Sequence, residues 1–408
     1  MQKPDFRRIA NEVLQWAIER DFKGTDPYDG LNSRLLAPLL KKSRFLRLAT
    51  IQAVKRSPIN LRPLFRVPTG YNPKGLALFL SGLGLQRGDD KAINANLIKR
   101  LEQMILSLAS RPDGSPVFSE ERRVRMDITP EEAEQAGVFA WGYNFPWQSR
   151  AFLQPAWYPT VVCSSFILDA LRGSQSEFYP TVAKNLARFT NDSLNIHKDE
   201  SGVCFSYSPR DRTRVYNASL FAAKILVQAA SYEKGAIGEH YRELAQRACD
   251  YVASKQREDG SWVYGEADHW QWVDNLHTGF VLETMHYIAE TLETDRFSKT
   301  IERGLGYYKI NLFTEDGDAK YYDNALFPLD PHSYAQGAIT MMKLNEPLFA
   351  ERVLAMAVNQ LWDSKRQGFI RKNSRYSKDR QIHLRWNQGW MYRALMEYNR
   401  RGNDEDMV

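Results

Sequence analysis

Carboxylates, imidazoles and indoles are concentrated in one short stretch of the chain, from Glu266 to Thr278. It contains three carboxylates, two imidazoles and two tryptophans within twelve positions. Asp274 and His277 are three residues apart, so they share a face if a helix begins there. A carboxylate beside an imidazole raises the pKa of the histidine and fixes its tautomer, which suits general acid–base catalysis. The alternative is structural: Asp274 caps a helix, and His277 bonds to a neighbouring helix.

The same pairing of carboxylate and imidazole recurs further along the chain. The candidate catalytic residues are therefore Asp274, His277, Asp330 and His332. If the two pairs face each other across a cleft, their carboxylates provide what glycoside hydrolysis requires. Two cations, Lys74 and Arg385, are candidates for binding a carboxylate of the substrate. No spacing resembles a zinc-ligand set, and we expect neither a metal nor another cofactor.

Aromatic and amide residues precede or open several predicted helices, where they would surround a ligand. The candidate substrate-binding residues at these helix starts are Tyr158, Tyr216, Asn217, Trp272, Asn275, Tyr334, Trp386 and Asn387. Part of this pattern is explained by capping, since Asn, Asp and Ser are preferred N-caps. Capping requires no aromatic residue, whereas aromatic faces stack on sugar rings. We therefore interpret the helix starts as a ligand-binding mouth.

A further aromatic run, from Trp141 to Arg150, lies in a segment that interrupts the pattern at about 111–157. Trp147 and Arg150 are candidate substrate contacts in this insertion. The run leads directly to a predicted helix start, so it should lie over the mouth. The alternative, of equal weight, is that these aromatic side chains pack the insertion onto the rest of the fold.

An internal repeat positions these candidates: a glycine-containing turn is followed by a helix rich in small and apolar residues. Helix starts near Pro159, Asn217, Leu276, His332 and Trp386 are separated by 58, 59, 56 and 54 residues. A sixth copy begins at Pro73, 86 residues before Pro159, which leaves room for the insertion. Amphipathic helices are predicted between them, at about 34–56, 91–109, 177–194, 238–256, 294–311 and 347–362.

Six helical hairpins of this kind predict a single all-α domain over residues 1–408, an (α/α)6 toroid. The small-residue helices would form the inner ring, and the charged helices would form an outer shell. Because the inner helices all point the same way, their N-termini ring one mouth, where free N–H groups favour anions. A solenoid of TPR or HEAT repeats is less consistent, because those repeats are only roughly 34–47 residues long.

Composition and charge limit the function classes. Of the 408 residues, 43% are hydrophobic and 25% charged, and the apolar runs are too short to span a bilayer. Three cysteines form no disulfide framework, and no secretory signal is recognisable, so we expect a cytoplasmic protein. Positive charge is concentrated at Gly30–Gly88, with eleven basic residues and no acidic one, and at Lys365–Arg385. Such runs attract anionic partners, but no nucleic-acid-binding motif is recognisable, so nucleic acid is not expected.

Three strings resemble VpsJ-type bacterial polysaccharide-biosynthesis proteins: Asp26–Ser33, Trp141–Trp147 and Asp274–Phe280. The resemblance extends over nearly the whole chain. It implies an α/α-toroid like the six-hairpin glycosidases, encoded among glycosyltransferases for exopolysaccharide or O-antigen, but it implies no catalytic residue. Ser333–Gly337 is also similar to a string of the glucuronyl 5-epimerases. Gln256–Trp262 resembles the repeat of triterpene cyclases, whose Asp-rich protonating motif is absent here.

Together these features predict a carbohydrate-active protein of exopolysaccharide or O-antigen biosynthesis. We expect an enzyme that epimerises, eliminates or hydrolyses an anionic, uronate-containing oligo- or polysaccharide or a lipid-linked glycan. The alternatives are a non-catalytic factor that binds a glycan or docks onto the biosynthetic complex and, less favoured, a terpene-cyclase-like toroid. The basic segment 34–56 also predicts peripheral contact with the inner face of the membrane. Against this, its leucines should be needed to pack a first outer helix onto the barrel.

Overall fold

The computed structural model describes residues 3–57, 59–148 and 153–405, which fold mainly into α-helices. In chain order these are α1 (Phe6–Ile18), α2 (Ala37–Lys42), α3 (Arg44–Arg56), α4 (Arg62–Phe65), α5 (Pro73–Gly84), α6 (Gly88–Ile93), α7 (Ala95–Ser107), α8 (Pro130–Gln135), α9 (Val161–Ser174), α10 (Tyr179–Arg188), α11 (Tyr216–Ala229), α12 (Ala236–Ser254), α13 (Asn275–Thr291), α14 (Ser298–Asn311), α15 (Pro331–Lys343), α16 (Pro347–Leu361) and α17 (Trp390–Glu405).

Six helices form a closed inner ring in the order α5, α9, α11, α13, α15 and α17, and α17 packs back onto α5. These helices are enclosed by the fold: every residue of α11 is buried. A helix that is buried around its whole circumference, and is mainly apolar, belongs to the core of a domain. The first five begin within two residues of the predicted starts, and a π-helical turn at Leu384–Gly389 leads into α17. The predicted (α/α)6 toroid is confirmed.

Small residues let the inner helices approach closely. Gly279 on α13 shows the constraint most clearly, because a Cβ atom there would lie 2.7 Å from the hydroxyl oxygen of Tyr308. The same atom would lie 2.8 Å from Oγ1 of Thr340 on α15. Both distances are shorter than van der Waals contact, so only glycine fits between these elements.

The outer shell consists of α7, α10, α12, α14 and α16, and its sixth member is α1, which packs against α17. The prediction that residues 34–56 form an outer helix is wrong. That segment breaks into α2 and α3 at Ser43, whose hydroxyl accepts a hydrogen bond from the backbone N–H of Leu46 and caps α3. It lies at the mouth, against a 3-10 turn at Asp29–Asn32. Helical periodicity identified the helix but not the surface that it covers.

The described residues also form four antiparallel pairs of short strands. Their strands are β1 (Trp147–Gln148) and β2 (Leu153–Gln154), β3 (Ile196–Asp199) and β4 (Gly202–Phe205), β5 (Trp362–Asp363) and β6 (Gly368–Phe369), and β7 (Lys372–Ser374) and β8 (Ser377–Asp379). The repeated turns before the inner helices need glycine for local reasons. Gly260 has φ of +91°, and a Cβ there would lie 2.6 Å from the carbonyl oxygen of Arg303.

The insertion contributes both to the core and to the mouth. Trp141 is fully buried and donates its indole N–H to the carbonyl oxygen of Ile105 at 2.8 Å. Tyr143, Phe145 and Trp147 extend to the mouth. Within the described ranges, no helix is both long enough and apolar enough to cross a lipid bilayer.

Replacing Gly279 with alanine should lower the free energy of unfolding by about 1–3 kcal/mol, because the added methyl group overpacks the contact between α13 and α15. Gly306→Ala is the matched control, since a Cβ at this position of α14 has no atom within 4 Å. That variant should be neutral or more stable by about 0.4–1 kcal/mol. Urea unfolding of both proteins measures the difference. Equal stabilities would contradict the close approach of the two inner helices.

Candidate functional site

A cavity of about 250 Å³ opens at the N-terminal ends of the inner helices. Every inner helix contributes a residue from its first turn or from the turn before it: Lys74, Val162, Asn217, His277, His332, Arg385 and Trp386. Most of the remaining wall is aromatic and consists of Tyr28, Tyr143, Phe145, Trp147, Tyr207, Tyr264, Phe280 and Tyr321. Pockets that enclose drug-sized ligands measure roughly 300–1,000 Å³, so this cavity suits about one six-membered ring.

Asp274 and His277 form the pair that the sequence predicts. Asp274 is the N-cap of α13, and its carboxylate accepts hydrogen bonds from the backbone N–H of His277 at 2.9 Å and from the indole of Trp272 at 3.0 Å. Nδ1 of His277 lies 2.7 Å from Oδ2 of Asp274. Because a carboxylate only accepts, Nδ1 carries the proton and Nε2 is left as an acceptor. His277 lines the cavity, and Asp274 lies behind it, 3% exposed.

His332 lines the same cavity with neither ring nitrogen hydrogen-bonded to a described residue. Its ring stacks on Trp390, with centroids 4.2 Å apart, and meets the edge of Trp386 at 4.8 Å. Burial, and then the positive charge of Lys74, lowers the pKa of His332 well below its ordinary value. A neutral imidazole has one donor and one acceptor nitrogen. Buried polar atoms are normally paired, so this ring is suited to bind a ligand.

Asp330 does not pair with the imidazole of His332, contrary to the prediction. It caps α15 by accepting the backbone N–H of His332 at 2.9 Å, and both of its oxygens accept from the indole of Trp386 at 3.0 Å. Burial raises the pKa of Asp330. Asp330 therefore positions Trp386 and does not face the cavity. Among the described residues, no carboxylate lines this cavity, and no group of three acidic, histidine or cysteine side chains could hold a metal ion.

Lys74 lies at the floor of the cavity. Its Nζ is 3.8 Å from the ring centroid of Phe166 and 5.1 Å from that of Trp390, and no described residue accepts a hydrogen bond from it. Burial, and then the charge of Arg385, lowers the pKa of Lys74 well below its ordinary value. The aromatic faces offset only part of the cost of a buried cation. Lys74 is thus an amine without an ionic partner, held where a ligand would meet it.

Arg385 is already neutralised by a partner from the start of the chain. Its Nε lies 2.6 Å from Oδ2 of Asp26, and its Nη2 lies 2.9 Å from Oδ1, so the two side chains form a buried bidentate pair. Next to this pair, the rings of Tyr28 and Trp386 approach with centroids 5.5 Å apart. Because Asp26 compensates the guanidinium, the basic group available to an anionic ligand in the described lining is the amine of Lys74. Arg385 instead joins the N-terminal loop to the last inner helix.

Six candidate substrate-binding residues do not line the cavity: Tyr158, Tyr216, Trp272, Asn275, Tyr334 and Asn387. Asn275, Tyr334 and Asn387 are fully buried, and they donate hydrogen bonds to Leu312, Asp318 and Phe369, respectively. Trp272 donates to Asp274, so it supports the pair from outside. Arg150 lies outside the described residues.

The sequence analysis did not identify the tyrosines that line the cavity, which are Tyr28, Tyr143, Tyr207, Tyr264 and Tyr321. Tyr207, Tyr264 and Tyr321 each follow the glycine of the preceding turn by four or five residues. The signal was therefore present in the repeat, which couples a turn to a following aromatic residue. Tyr264 has a further role, since its ring lies 4.5 Å from the ring of His277, centroid to centroid, and restricts the orientation of that imidazole.

No protein-family model matches the sequence, and no curated protein sequence matches it. Solved structures match in fold. Cellobiose 2-epimerase from Bacillus thermoamylovorans B4167 aligns with a TM-score of 0.57 at 10% identity, over 82% of this chain and 90% of its own. An unsaturated glucuronyl hydrolase from Streptococcus agalactiae aligns with a TM-score of 0.54 at 10% identity, over 98% and 92% of the two chains. An unsaturated glucuronyl hydrolase specific for heparin aligns with a TM-score of 0.53 at 11% identity, over 83% of this chain and 89% of its own.

These identities show a shared fold and no more. The three proteins named above are carbohydrate-processing enzymes built as six-hairpin toroids. These structures do not show the family that the VpsJ-type strings imply.

Removing Arg385 should destabilise the protein strongly. Arg385→Met leaves the buried carboxylate of Asp26 without its cation, and breaking a buried pair in this way costs about 3–5 kcal/mol. Arg380→Met is the matched control, because Arg380 is 59% exposed and its pair with Asp363 is worth at most about 1 kcal/mol. Urea unfolding compares the two. Similar losses for both variants would show that the Asp26–Arg385 pair is not what holds the mouth together.

Lys74→Met should stabilise the protein near neutral pH. The pKa of Lys74 is lowered on folding, so the unfolded chain binds more protons and the free energy of unfolding of the wild type rises with pH. The rise is at most about 1.4 kcal/mol per pH unit and ends near the ordinary value of 10.5. The advantage of the variant should therefore shrink between about pH 7 and pH 9.

Lys224→Met provides the control for this titration. Lys224 is equally buried but lies 2.6 Å from Asp169, so its removal should destabilise the protein. Unfolding free energies of all three proteins are measured across the pH range. A stabilisation by Lys74→Met that does not change with pH would contradict an unpaired amine at the cavity floor.

Proposed function

We propose that the protein is a carbohydrate-active enzyme that uses two imidazoles, His277 and His332, for proton transfer at a carbon of an anionic sugar. One observation carries this proposal. Both imidazoles line one cavity, and each has a ring nitrogen left free for a ligand by the described residues. Imidazole is the side chain best suited to exchange protons near neutral pH.

The residues divide the chemistry between them. Nε2 of His277 removes a proton from the carbon next to a carboxylate, and the electron pair is delocalised into that carboxylate. Asp274 stabilises the imidazolium that forms, because its carboxylate accepts a hydrogen bond from the Nδ1–H group. Burial and the charge of Lys74 lower the pKa of His332, so its neutral ring donates a hydrogen bond to the developing charge. Protonation of the opposite face by water, with the proton on His277 released to solvent, gives epimerisation. Departure of the neighbouring leaving group with its bonding electrons instead gives elimination and an unsaturated sugar.

The electrostatics of the cavity favour an anionic substrate. Six inner helices direct their N-termini at it, and helix N-termini carry partial positive charge. Lys74 adds an amine at the floor, and the described lining contains no carboxylate to repel an anion. Aromatic walls supply faces for a sugar ring. Trp147 comes from the insertion and Trp386 from the turn before the last inner helix, and both line the same cavity.

Hydrolysis is supported less well than epimerisation or elimination. Glycosidases place two carboxyl groups on either side of the scissile bond. Here Asp274 and Asp330 both act as helix caps behind other side chains. The names of the structural neighbours, an epimerase and glucuronyl hydrolases, support a carbohydrate substrate in general. The VpsJ-type strings support a place in exopolysaccharide or O-antigen biosynthesis, on the cytoplasmic side of the membrane.

Incubation with uronate-containing and neutral oligosaccharides in D₂O tests the proposal, with products examined by NMR. Epimerisation places solvent deuterium at the inverted carbon, and elimination gives an unsaturated sugar. His277→Ala and His332→Ala should each lower the rate by about 10²–10⁴-fold while the protein stays folded. His240→Ala, on the exposed face of α12, is the matched control and should keep full activity.

Two results would contradict the proposal. Hydrolysis that persists in both histidine variants would assign the chemistry to other residues. Binding of glycans without any turnover would instead support a non-catalytic glycan-binding or assembly factor.

A further inference from the structure

Apolar side chains are exposed along α2, α3 and α4, beside the mouth. Phe45 on α3 is 77% exposed, and Leu39 on α2 is 54% exposed. The exposed large apolar residues of this surface, here called the apical surface, are Leu35, Leu39, Phe45, Leu46, Ile59 and Leu64. Single exposed apolar residues are ordinary, but such a concentration within thirty positions marks an interaction site. The expected use of the segment's leucines in packing is wrong for Leu35, Leu39 and Leu46.

Basic residues alternate with these apolar residues, and no acidic residue does. The stretch from Gly30 to Gly88 contains eleven lysines and arginines and no aspartate or glutamate. On the apical surface the exposed basic residues are Arg34, Lys41, Lys42, Arg44, Arg56 and Arg66. A partner for this surface must therefore offer both apolar area and negative charge.

The apical surface is held together as one unit. The backbone N–H of Arg34 donates to the carbonyl oxygen of Arg66 at 3.3 Å, and the hydroxyl of Ser33 donates to that of Phe65 at 2.6 Å. These bonds bring α4 beside the start of α2. Beneath them, Leu31, Leu40 and Ile51 form a small separate core. The exposed side chains thus project from a supported platform and not from a loose loop.

A second basic element lies beside the first. The hairpin of β7 and β8 ends in Tyr376, which is 88% exposed, and carries the exposed residues Arg375 and Lys378. It is joined to the apical surface through Gln381, which donates to the carbonyl oxygen of Ser57 at 3.1 Å and accepts from Arg62 at 2.8 Å. An aromatic tip among cations is typical of residues that sit at a membrane–water interface.

We propose that the apical surface docks onto a bilayer that contains anionic lipid. Apolar side chains would enter the boundary between headgroups and acyl chains, and the basic residues would contact lipid phosphates. A second copy of this chain is a poorer partner for the same face, because two such faces bring like charges together. The proposal does not depend on the reaction in the cavity.

Docking would fix the orientation of the mouth. Lys55 of α3 donates to the hydroxyl of Tyr28 at 2.6 Å, and Tyr28 lines the cavity. Arg47 of α3 donates to Gln148, next to the cavity residue Trp147. The apical surface is therefore the rim of the cavity, and a docked protein would present its opening to the headgroup layer.

Co-sedimentation of the full chain with vesicles tests the proposal. Vesicles of phosphatidylcholine alone are compared with vesicles of equal parts phosphatidylcholine and phosphatidylglycerol, at low and high salt. The protein should pellet with the anionic vesicles, and salt should release part of it. Lys41→Gln/Lys42→Gln/Arg44→Gln should lower the partition coefficient at least about tenfold. Leu39→Ser/Phe45→Ser should lower it at every salt concentration, because apolar insertion is not screened.

A matched surface at the other end of the toroid provides the control. Lys234, Ile237 and Arg242 are exposed at the start of α12, away from the mouth. Lys234→Gln/Ile237→Ser/Arg242→Gln should bind vesicles like the wild type, and circular dichroism should show the same fold for all variants. Equal recovery of the wild type in the supernatant with both vesicle types would overturn the proposal. Self-association in sedimentation velocity, lost in Leu39→Ser/Phe45→Ser without any vesicle binding, would overturn it in favour of a second copy.

Discussion

The buried ion pair of Asp26 and Arg385 joins the N-terminal loop to the last inner helix at the mouth of the toroid, and the arrangement of the site depends on it. The partners are 359 positions apart and make two hydrogen bonds. Withdrawing two charges from water is costly, and only good geometry with further hydrogen bonds offsets that cost. Asp26 also accepts the backbone N–H of Tyr28 at 3.1 Å. The pair therefore holds Tyr28 and Trp386 next to each other, and this side of the cavity forms only when the N-terminal loop meets the start of the last inner helix.

Because Asp26 pairs with Arg385, the charge of the cavity depends mainly on the helix N-termini, Lys74 and the two histidines. Six helix N-termini make its interior positive, and Lys74 and His332 respond by holding protons less tightly, since burial and nearby cations lower the pKa of each. The carboxylates of Asp274 and Asp330 are used behind the wall, as caps and supports for His277 and Trp386. An unpaired buried amine such as Lys74 lowers the stability of the folded protein. Such a loss of stability is common where a residue is positioned to bind a charged ligand.

The helix α3 links this site to the outside. Its buried face holds the loop that carries Tyr28 through Lys55, while its other face exposes Phe45 among cations. In a simple toroid, the segment that precedes the first inner helix would form an outer helix with one apolar face directed inward. Because α1 fills that place in the shell, α2 and α3 are free to form the rim of the mouth with an apolar surface left open.

Local pattern determined the parts of this protein that local contacts build. The turn-and-helix repeat gave the inner helices and the toroid, and the spacing of Asp274 and His277 gave their contact, because residues three apart on a helix are neighbours. The repeat also contains an aromatic residue four or five positions after the turn glycine, which would have identified Tyr264 as a cavity residue. Tertiary structure alone decided that Asp330 supports Trp386, that Asp26 neutralises Arg385, and that α1 and not residues 34–56 completes the shell. Periodicity shows that a helix has an apolar face, but which surface that face meets depends on how the ring closes between segments distant in sequence.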